Sequence, residues 1–171
     1  MATIAVDARR QDDKRTLWTP YWVQSKEIYP AQVLANAAVL WSFPAAKYGN
    51  RRIEIRGCAV QLVTAYTGGT PAINIGSGTL ATDAVTTGGT VTTVDVDEYI
   101  PAADVTCATP AWYFAATGDW ITSALLMTKV APVVITPADT TVPCVTATCA
   151  ASAAAGMFRV IMELCEIPGV G

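Results

Sequence analysis

The segment near the C-terminus has the most regular alternation of apolar and polar residues in the chain. Apolar side chains recur at every second position, and charged side chains lie on the opposite or flanking side. A period of two is typical of a β-strand with one buried face. The apolar set is Phe158, Val160, Met162 and Leu164, and the charged set is Arg159, Glu163 and Glu166.

The longest predicted strand (residues 52–66) contains a change of phase. Ile53 and Ile55 share one parity, whereas the apolar residues from Cys58 onward occupy the other. The change falls at Gly57. Because a shift of one residue turns every side chain to the other face, this pattern predicts a β-bulge that keeps the apolar residues inward and bends the strand.

Shorter apolar runs, cut by Gly, Pro, Asp and Thr, predict further strands. They cover residues 37–43, 72–76, 94–97, 111–114, 120–127, 133–135 and 142–148. A short helix from Ala31 competes with the first run. The Gly- and Thr-rich residues 76–93 are interpreted as an exposed excursion, and the Ala-rich residues 150–155 as a loop or the start of a strand.

The sequence predicts about eight strands and no alternation of strands with helices, which favours an all-β fold over an α/β fold. We expect an antiparallel β-sandwich of jelly-roll type over residues 28–171. Residues 1–27 show no sustained period and predict an extended N-terminal arm. The aromatic residues of that arm either anchor it on a partner or tuck back onto their own domain.

Charge divides the chain unevenly. Residues 1–56 hold nine of the eleven Lys and Arg residues and five of the fourteen acids, a net charge of +4, and the remaining residues carry −7. A basic segment joined to an acidic, apolar body indicates either a segment that reaches for a partner surface or a merely solvated tail. Nucleic acid is set aside as a partner, because the acidic body repels phosphate.

The sequence argues against catalysis and against a metal or cofactor. It contains no His, the commonest general base and metal ligand, and shows no phosphate-binding Gly-rich loop. Asp95, Asp97 and Glu98 offer oxygen ligands, but they lack the spacing of a calcium loop and are interpreted as a solvated strand end. We therefore expect a protein that is not an enzyme and needs no cofactor.

The five cysteines do not form a metal set or a complete disulfide framework. They are interpreted as buried, small apolar side chains, with a bridge between Cys144 and Cys149 across a turn as the alternative. The N-terminus lacks the plan of a signal peptide, and no apolar run reaches the length of a membrane span. These features predict a soluble protein made in the cytoplasm without a signal peptide, and without a membrane partner.

The segment from Arg52 through Ile100, which includes IEIRGCAVQLVTAYTGGTPAINIGSGTLATDAV, resembles a family of small β-sandwich virion proteins of tailed bacteriophages. The later segments GDWITSALL and AAGMFRVIMELCEI share the resemblance, which covers roughly residues 28–167. Many members of this family decorate the capsid as cement proteins. The resemblance carries no catalytic residues, and it does not extend to residues 1–27.

The resemblance implies a capsid cement protein on the outer surface of the virion. Such a protein binds the joints between major capsid protein subunits, associates with itself as a homotrimer, and holds the expanded shell against the pressure of the DNA. The expected anchoring residues lie in the arm, four as cations for an acidic shell and three as aromatic anchors. They are Arg9, Arg10, Lys14, Arg15, Trp18, Tyr21 and Trp22.

A second hypothesis keeps the virion but changes the role. In it, the protein is a receptor- or glycan-binding module of a head or tail fibre, with Trp112, Tyr113 or Trp120 as a stacking platform. These aromatic residues lie in apolar segments that are predicted to be strands, so we expect them to be buried in the core.

Overall fold

The structure, a computed structural model, describes residues 17–29, 37–67, 72–81, 91–101, 105, 108–114, 120–122, 127–150 and 155–169. Within these ranges the chain forms ten strands and one short helix. They are β1 (Pro20–Gln24), β2 (Ala38–Ser42), α1 (Ala45–Tyr48), β3 (Arg52–Thr67), β4 (Ala72–Leu80), β5 (Val91–Ile100), β6 (Trp112–Tyr113), β7 (Trp120–Thr122), β8 (Met127–Ile135), β9 (Val142–Ala150) and β10 (Ala155–Ile167). The helix α1 has four residues, and no helix among the described residues is long and apolar enough to cross a membrane.

The strands form two antiparallel sheets. The six-stranded sheet has the order β1-β10-β3-β8-β7, with β6 also paired to β3, and the four-stranded sheet has the order β2-β9-β4-β5. The predicted antiparallel all-β sandwich is confirmed. The first sheet contains β1, β3, β6, β7, β8 and β10, and the second contains β2, β4, β5 and β9, so the chain crosses between the sheets several times. The jelly-roll type of connection stays a prediction.

The core lies between the two sheets and consists of the inward residues of both. Its members include Ile53, Ile55, Val60 and Leu62 of β3, Ile73 and Ile75 of β4, Val145 and Ala147 of β9, and Phe158, Val160 and Met162 of β10. Burying each large aliphatic side chain stabilises the fold by roughly 1.5–3 kcal/mol. The alternation predicted for β10 is therefore confirmed for its apolar set.

The change of phase in β3 is a β-bulge, as predicted. Glu163 of β10 pairs with Gly57, whereas the next residue of β10, Leu164, pairs with Ile55, so Arg56 is the extra residue. Residues before and after the bulge thus point into the same core.

The interpretation of residues 76–93 as an exposed excursion is wrong at both ends. β4 continues to Leu80, which is buried, and β5 begins at Val91, while residues 82–90 lie outside the described residues.

The packing around Gly76 explains why this position of the buried strand β4 is a glycine. A Cβ atom there would lie 2.1 Å from the Asp95 carbonyl oxygen of β5, so only glycine permits this close approach of the two backbones.

Two further predictions of strand boundaries need correction. Residues 20–24, placed in the arm by the sequence pattern, form β1 and pair with β10, so the sandwich begins before residue 28. Residues 120–127 divide between β7 and β8, in which Thr122 pairs with Met127. The apolar run there has no Gly or Pro to mark the division. The alternative helix from Ala31 falls largely on residues outside the described ranges.

Four cysteines are described, and all are buried and outside any disulfide, namely Cys58, Cys144, Cys149 and Cys165. Cys107 lies outside the described residues. Cys144 and Cys149 occupy one strand five residues apart, which corresponds to about 16 Å and exceeds the ~7 Å limit for a disulfide. The predicted alternative of a bridge between them is wrong. Burial raises the pKa of the Cys144 thiol to about 12 and also raises that of Cys58.

We predict that these four thiols do not react with a thiol reagent in the folded protein. Reaction requires thiolate, which burial and the raised pKa suppress. A Cys107→Ser variant, titrated with an aromatic disulfide reagent at pH 8, is expected to show no fast thiol before unfolding and four afterwards. A fast-reacting thiol in that folded variant would contradict the described burial.

We predict that Gly76→Ala destabilises the fold by about 3 kcal/mol, because the added methyl group meets main-chain atoms of β5 that cannot rotate away. Chemical denaturation of both proteins measures the difference. The neighbouring Ser77→Ala is the control and is expected to change the free energy of unfolding by less than about 1 kcal/mol, as is usual for a partly exposed position.

Candidate docking surface along strand β1

Strand β1 is an edge strand of the six-stranded sheet. It pairs with β10 through a register that joins Pro20 to Cys165 and Gln24 to Ile161, and among the described residues no strand pairs with its other side. Val23 points into the core, whereas Trp22 points to the outer face of the sheet. Alternation along the strand therefore explains why one aromatic residue of this segment stays exposed.

The end of β1 is shaped by Ser25, which is buried. Its main-chain N–H donates to the Val160 carbonyl (2.8 Å), and its hydroxyl accepts from the Val160 N–H (2.9 Å) and donates to the Lys26 carbonyl (2.8 Å). The next main-chain pair joins Ile28 with Phe158, which leaves one extra residue between the two contacts on the β1 side. The edge thus bulges at Lys26 and Glu27.

Alternate residues of an antiparallel strand bond to the partner strand, and those between them direct their main-chain groups away from it. Since the Ser25 N–H bonds to β10, the main-chain groups of Trp22 and Gln24 face the open edge. Pro20 occupies the same outward phase, where its missing N–H costs no bond. The open edge therefore offers two N–H donors between a proline and a bulge.

Large apolar side chains are exposed along this edge. Trp18 is 60% exposed, Tyr29 46% and Trp22 43%, and Leu17 is also exposed. We call these four residues the aromatic edge. Trp18 adopts a positive φ of 68°, which turns the chain just before β1. Exposed aromatic clusters of this kind mark sites of contact with other molecules.

An open groove of about 980 Å³ lies beside β1. Its walls include Trp22 and Tyr29, and its polar lining includes Gln24, Lys26 and Arg159. These residues come from the outer face of β1 and β10 and from the segment after β1. The groove thus places two members of the aromatic edge, Trp22 and Tyr29, beside polar and cationic side chains.

Glu27 and Arg159 form an ion pair in the groove. Arg159 Nη2 lies 2.6 Å from Glu27 Oε1, and the Tyr29 hydroxyl donates to Glu27 Oε2 at 3.1 Å. The hydrogen bond from Arg159, followed by that from Tyr29, lowers the pKa of Glu27, and the same carboxylate raises the pKa of Tyr29. Lys26 has no acid partner among the described residues, so the groove carries a net positive charge.

Tyr21 does not belong to the exposed surface. It packs against the core, and its hydroxyl donates to Glu166 Oε1 at 3.3 Å, while Arg51 Nη1 donates to Glu166 Oε2 at 2.6 Å. Tyr21 thus has a structural contact in this protein, and the anchoring role predicted for it stays a prediction. Glu166, predicted on the outward or flanking side, is only 3% exposed, because it follows Leu164 by two positions and therefore faces inward.

The structure thus leaves two of the residues predicted to anchor a partner, Trp18 and Trp22, exposed in or just before β1. The four predicted cations, Arg9, Arg10, Lys14 and Arg15, lie outside the described residues. Tyr29 and the ion pair of Glu27 with Arg159 were not foreseen. The one signal in the sequence was the spacing of Glu27 and Tyr29, two positions apart in the segment after β1.

The aromatic residues of the alternative platform do not form one described surface. Trp112 is 47% exposed on the outer face, so its predicted burial is wrong, and it pairs with Gln61, which in turn pairs with Arg159. The Tyr113 hydroxyl donates to the Thr109 carbonyl at 2.5 Å. The side chain of Trp120 lies outside the described residues.

A second exposed edge runs along β5. Val94 is 68% exposed and Val96 42%, and they alternate with the exposed Asp95 and Asp97. We call these four residues the acidic edge. The Asp97 N–H donates to Asp95 Oδ1 at 3.2 Å, and a side-chain hydrogen bond with Asp95 raises the pKa of Asp97. Across the described residues, no three acids or cysteines approach each other closely enough for a metal ion.

Comparison with protein-family models finds no match for this chain. Comparison with curated proteins finds no match either. Among solved structures, the Cyanophage Pam1 capsid asymmetric unit is 17% identical in sequence over 95% of this chain and 95% of the matched chain, with a TM-score of 0.46. A likeness this distant identifies neither a family nor a function for the chain.

We predict that the pKa of Glu27, measured by carbon-detected NMR titration of its carboxyl group, lies below 4.5 and rises in Arg159→Ala. Because the folded pKa is lowered, this group stabilises the fold above the unfolded value near 4.5, and the contribution is lost as the pH falls through the folded pKa. Arg56→Ala is the control, since Arg56 pairs with Glu54 instead. An unchanged Glu27 pKa in Arg159→Ala would contradict the pairing.

Proposed function

We propose that this chain is a bacteriophage virion structural protein, and more specifically a capsid cement protein that binds between major capsid protein subunits on the outer shell. The resemblance of residues 28–167 to decoration proteins of tailed phages supports this role. The all-β sandwich with two antiparallel sheets is compatible with it.

The observation that carries the proposal is the aromatic edge. Tryptophan and tyrosine are the side chains that most often supply binding energy at protein interfaces, and solvent is a costly environment for them. Three of them are about half exposed in or close to β1, and two of these, Trp22 and Tyr29, line a groove. Exposed apolar clusters of this kind mark surfaces that contact another molecule.

The charge of the surface suggests the chemistry of the shell site. Lys26 and Arg159 flank the groove, and we propose that Arg9, Arg10, Lys14 and Arg15 add to this positive charge near the N-terminus. The complementary shell surface is acidic and contains apolar pockets for Trp18 and Trp22. Each contact need only be modest in free energy, because many copies on one lattice add their contributions.

The proposal assigns no catalytic activity. The chain lacks His, and the carboxylate in the groove, Glu27, is held ionised by Arg159 with a lowered pKa, which is unsuited to a general acid. Retention on the outer surface of the virion and assembly in the host cytoplasm belong to the same proposal.

A second role as a receptor- or glycan-binding module is favoured by one observation, the exposure of Trp112. An exposed indole on a flat sheet face is a surface on which a sugar ring can stack. Trp112 lies three strand spacings from β1, about 14 Å, so the two surfaces can be tested separately.

We predict that the double variant Trp18→Ala and Trp22→Ala binds phage shells lacking this chain at least about 30-fold more weakly than the native protein does. The lower bound is set by one tryptophan, because a single buried interface tryptophan contributes on the order of 2 kcal/mol, which is about 30-fold in affinity, and the two contributions need not add. Binding is measured by co-sedimentation with purified shells. Trp112→Ala is the matched control and retains binding. A deletion of residues 1–16, which leaves β1 intact, tests the basic part of the arm separately.

Quantitative mass spectrometry of native particles provides the companion measurement. A copy number equal to that of the major shell protein, or a simple fraction of it, supports a lattice-covering cement protein. A handful of copies per particle contradicts it and indicates a fibre or neck position. Binding to a glycan array that is lost only in Trp112→Ala would favour the second role.

A further inference from the structure

The aromatic edge and the acidic edge lie on opposite sides of the sandwich. β1 ends the six-stranded sheet, and β5 ends the four-stranded sheet. Across the core, β5 contacts β3, which is two strands away from β1 in the order β1-β10-β3. The two edges are therefore separated by at least about 10 Å within one copy, and neither can cover the other.

We propose that the open edge of β1 in one copy pairs with the acidic edge of β5 in a second copy, head to tail. The partner is a second copy of this chain, and the contact is strand addition between two different edges. This inference does not rest on the proposed contact with the shell.

The main chain supports such pairing at β1. The outward N–H groups of Trp22 and Gln24 find no partner strand among the described residues, and an added strand is the usual way in which an open sheet edge binds a peptide. Pro20 and the bulge at Lys26 limit the length of the added strand. A short window with defined ends favours one register over slippage.

The side chains of the two edges are complementary. β5 exposes Val94 and Val96, whose methyl groups match the aromatic character of the β1 edge. It also exposes Asp95 and Asp97, and the cation that lacks an acid partner in the groove is Lys26. The two aspartates crowd each other, and an opposing cation relieves that repulsion. Pairing β5 with a second β5 would instead bring four carboxylates together.

The contact leaves the outer face of the sheet free. Strand addition proceeds in the plane of a sheet, along its hydrogen-bonding direction, whereas side chains stand perpendicular to that plane. The Trp22 ring and the Arg159 guanidinium project from the outer face, so this face remains accessible beside the added strand. Association between copies and binding to a shell can therefore occur together.

A contact between two different edges generates a closed ring when the rotation between copies closes, and an open chain otherwise. Every copy in a ring has both edges covered. A ring thus covers the open main-chain groups of both edges while the outer face with Trp22 stays accessible, which is consistent with the trimer that the family resemblance implies.

Two single-cysteine variants in the Cys107→Ser background test which edges meet. Gln24→Cys and Asp95→Cys are each treated with a short bismaleimide, alone and as a mixture. We expect cross-linked dimers in the mixture and none with either variant alone. A cross-link formed by Gln24→Cys alone would indicate β1 against β1, and one formed by Asp95→Cys alone would indicate β5 against β5. Either result overturns the proposal, as does no cross-link at all.

Sedimentation equilibrium of the full chain supplies a second readout. The native protein is expected to have a mass that is a multiple of 18.0 kDa, and Lys26→Glu to associate about tenfold more weakly. The double variant Lys26→Glu and Asp95→Lys is expected to recover association. Lys47→Glu on α1 changes the net charge equally and is the control.

These measurements use the protein without particles, so they separate the two proposals. A native protein that stays monomeric at all concentrations, or a double variant that does not recover, overturns the head-to-tail contact while leaving the shell contact standing. Loss of shell binding in the Trp18 and Trp22 double variant with unchanged mass would support the shell contact alone.

Discussion

The antiparallel pairing of β3 with β10 is the contact on which the rest of the structure depends. Both strands are long. β1 pairs with β10, and both β6 and β8 pair with β3. Their inward residues supply much of the core, and the bulge at Arg56 keeps those residues in phase. A sheet built outward from one central pair needs only that register to be specified strongly.

The edge strand β1 is held by more than its hydrogen-bond ladder. Glu166 is buried near the end of β10, where a lone carboxylate would be costly, and it accepts hydrogen bonds from Arg51 and from Tyr21 of β1. Near the start of β1, Glu166 therefore holds Tyr21 by a hydrogen bond. Just after its end, the Ser25 hydroxyl accepts a hydrogen bond from the Val160 N–H of β10. This rigid base allows Trp18 and Trp22 to remain exposed without loosening the strand.

The sequence pattern predicted the features that local alternation of apolar and polar residues encodes. It missed the features that depend on contacts between residues far apart in the sequence. The phase change at Gly57 and the apolar face of β10 are local signals, and both predictions are confirmed. Gly76 looked like part of a loop because the reason for glycine, the β5 backbone passing over it, is not adjacent in sequence. The burial of Glu166 was missed because its hydrogen-bond partners, Arg51 and Tyr21, lie more than a hundred residues away. For the same reason the Glu27–Arg159 pair had no local signature.

The two exposed edges are protected to different degrees, and the difference has a physical meaning. Natural sheets blunt free edges with proline, lysine and bulges, and β1 carries one of each at its ends but leaves Trp22 and Gln24 open between them. β5 carries aspartates, which discourage pairing with a copy of itself, yet it exposes two valines. Devices that block like edges while leaving unlike edges compatible restrict association to one arrangement. The proposed cement role requires this restriction, because many copies on one lattice must associate in register without forming open aggregates.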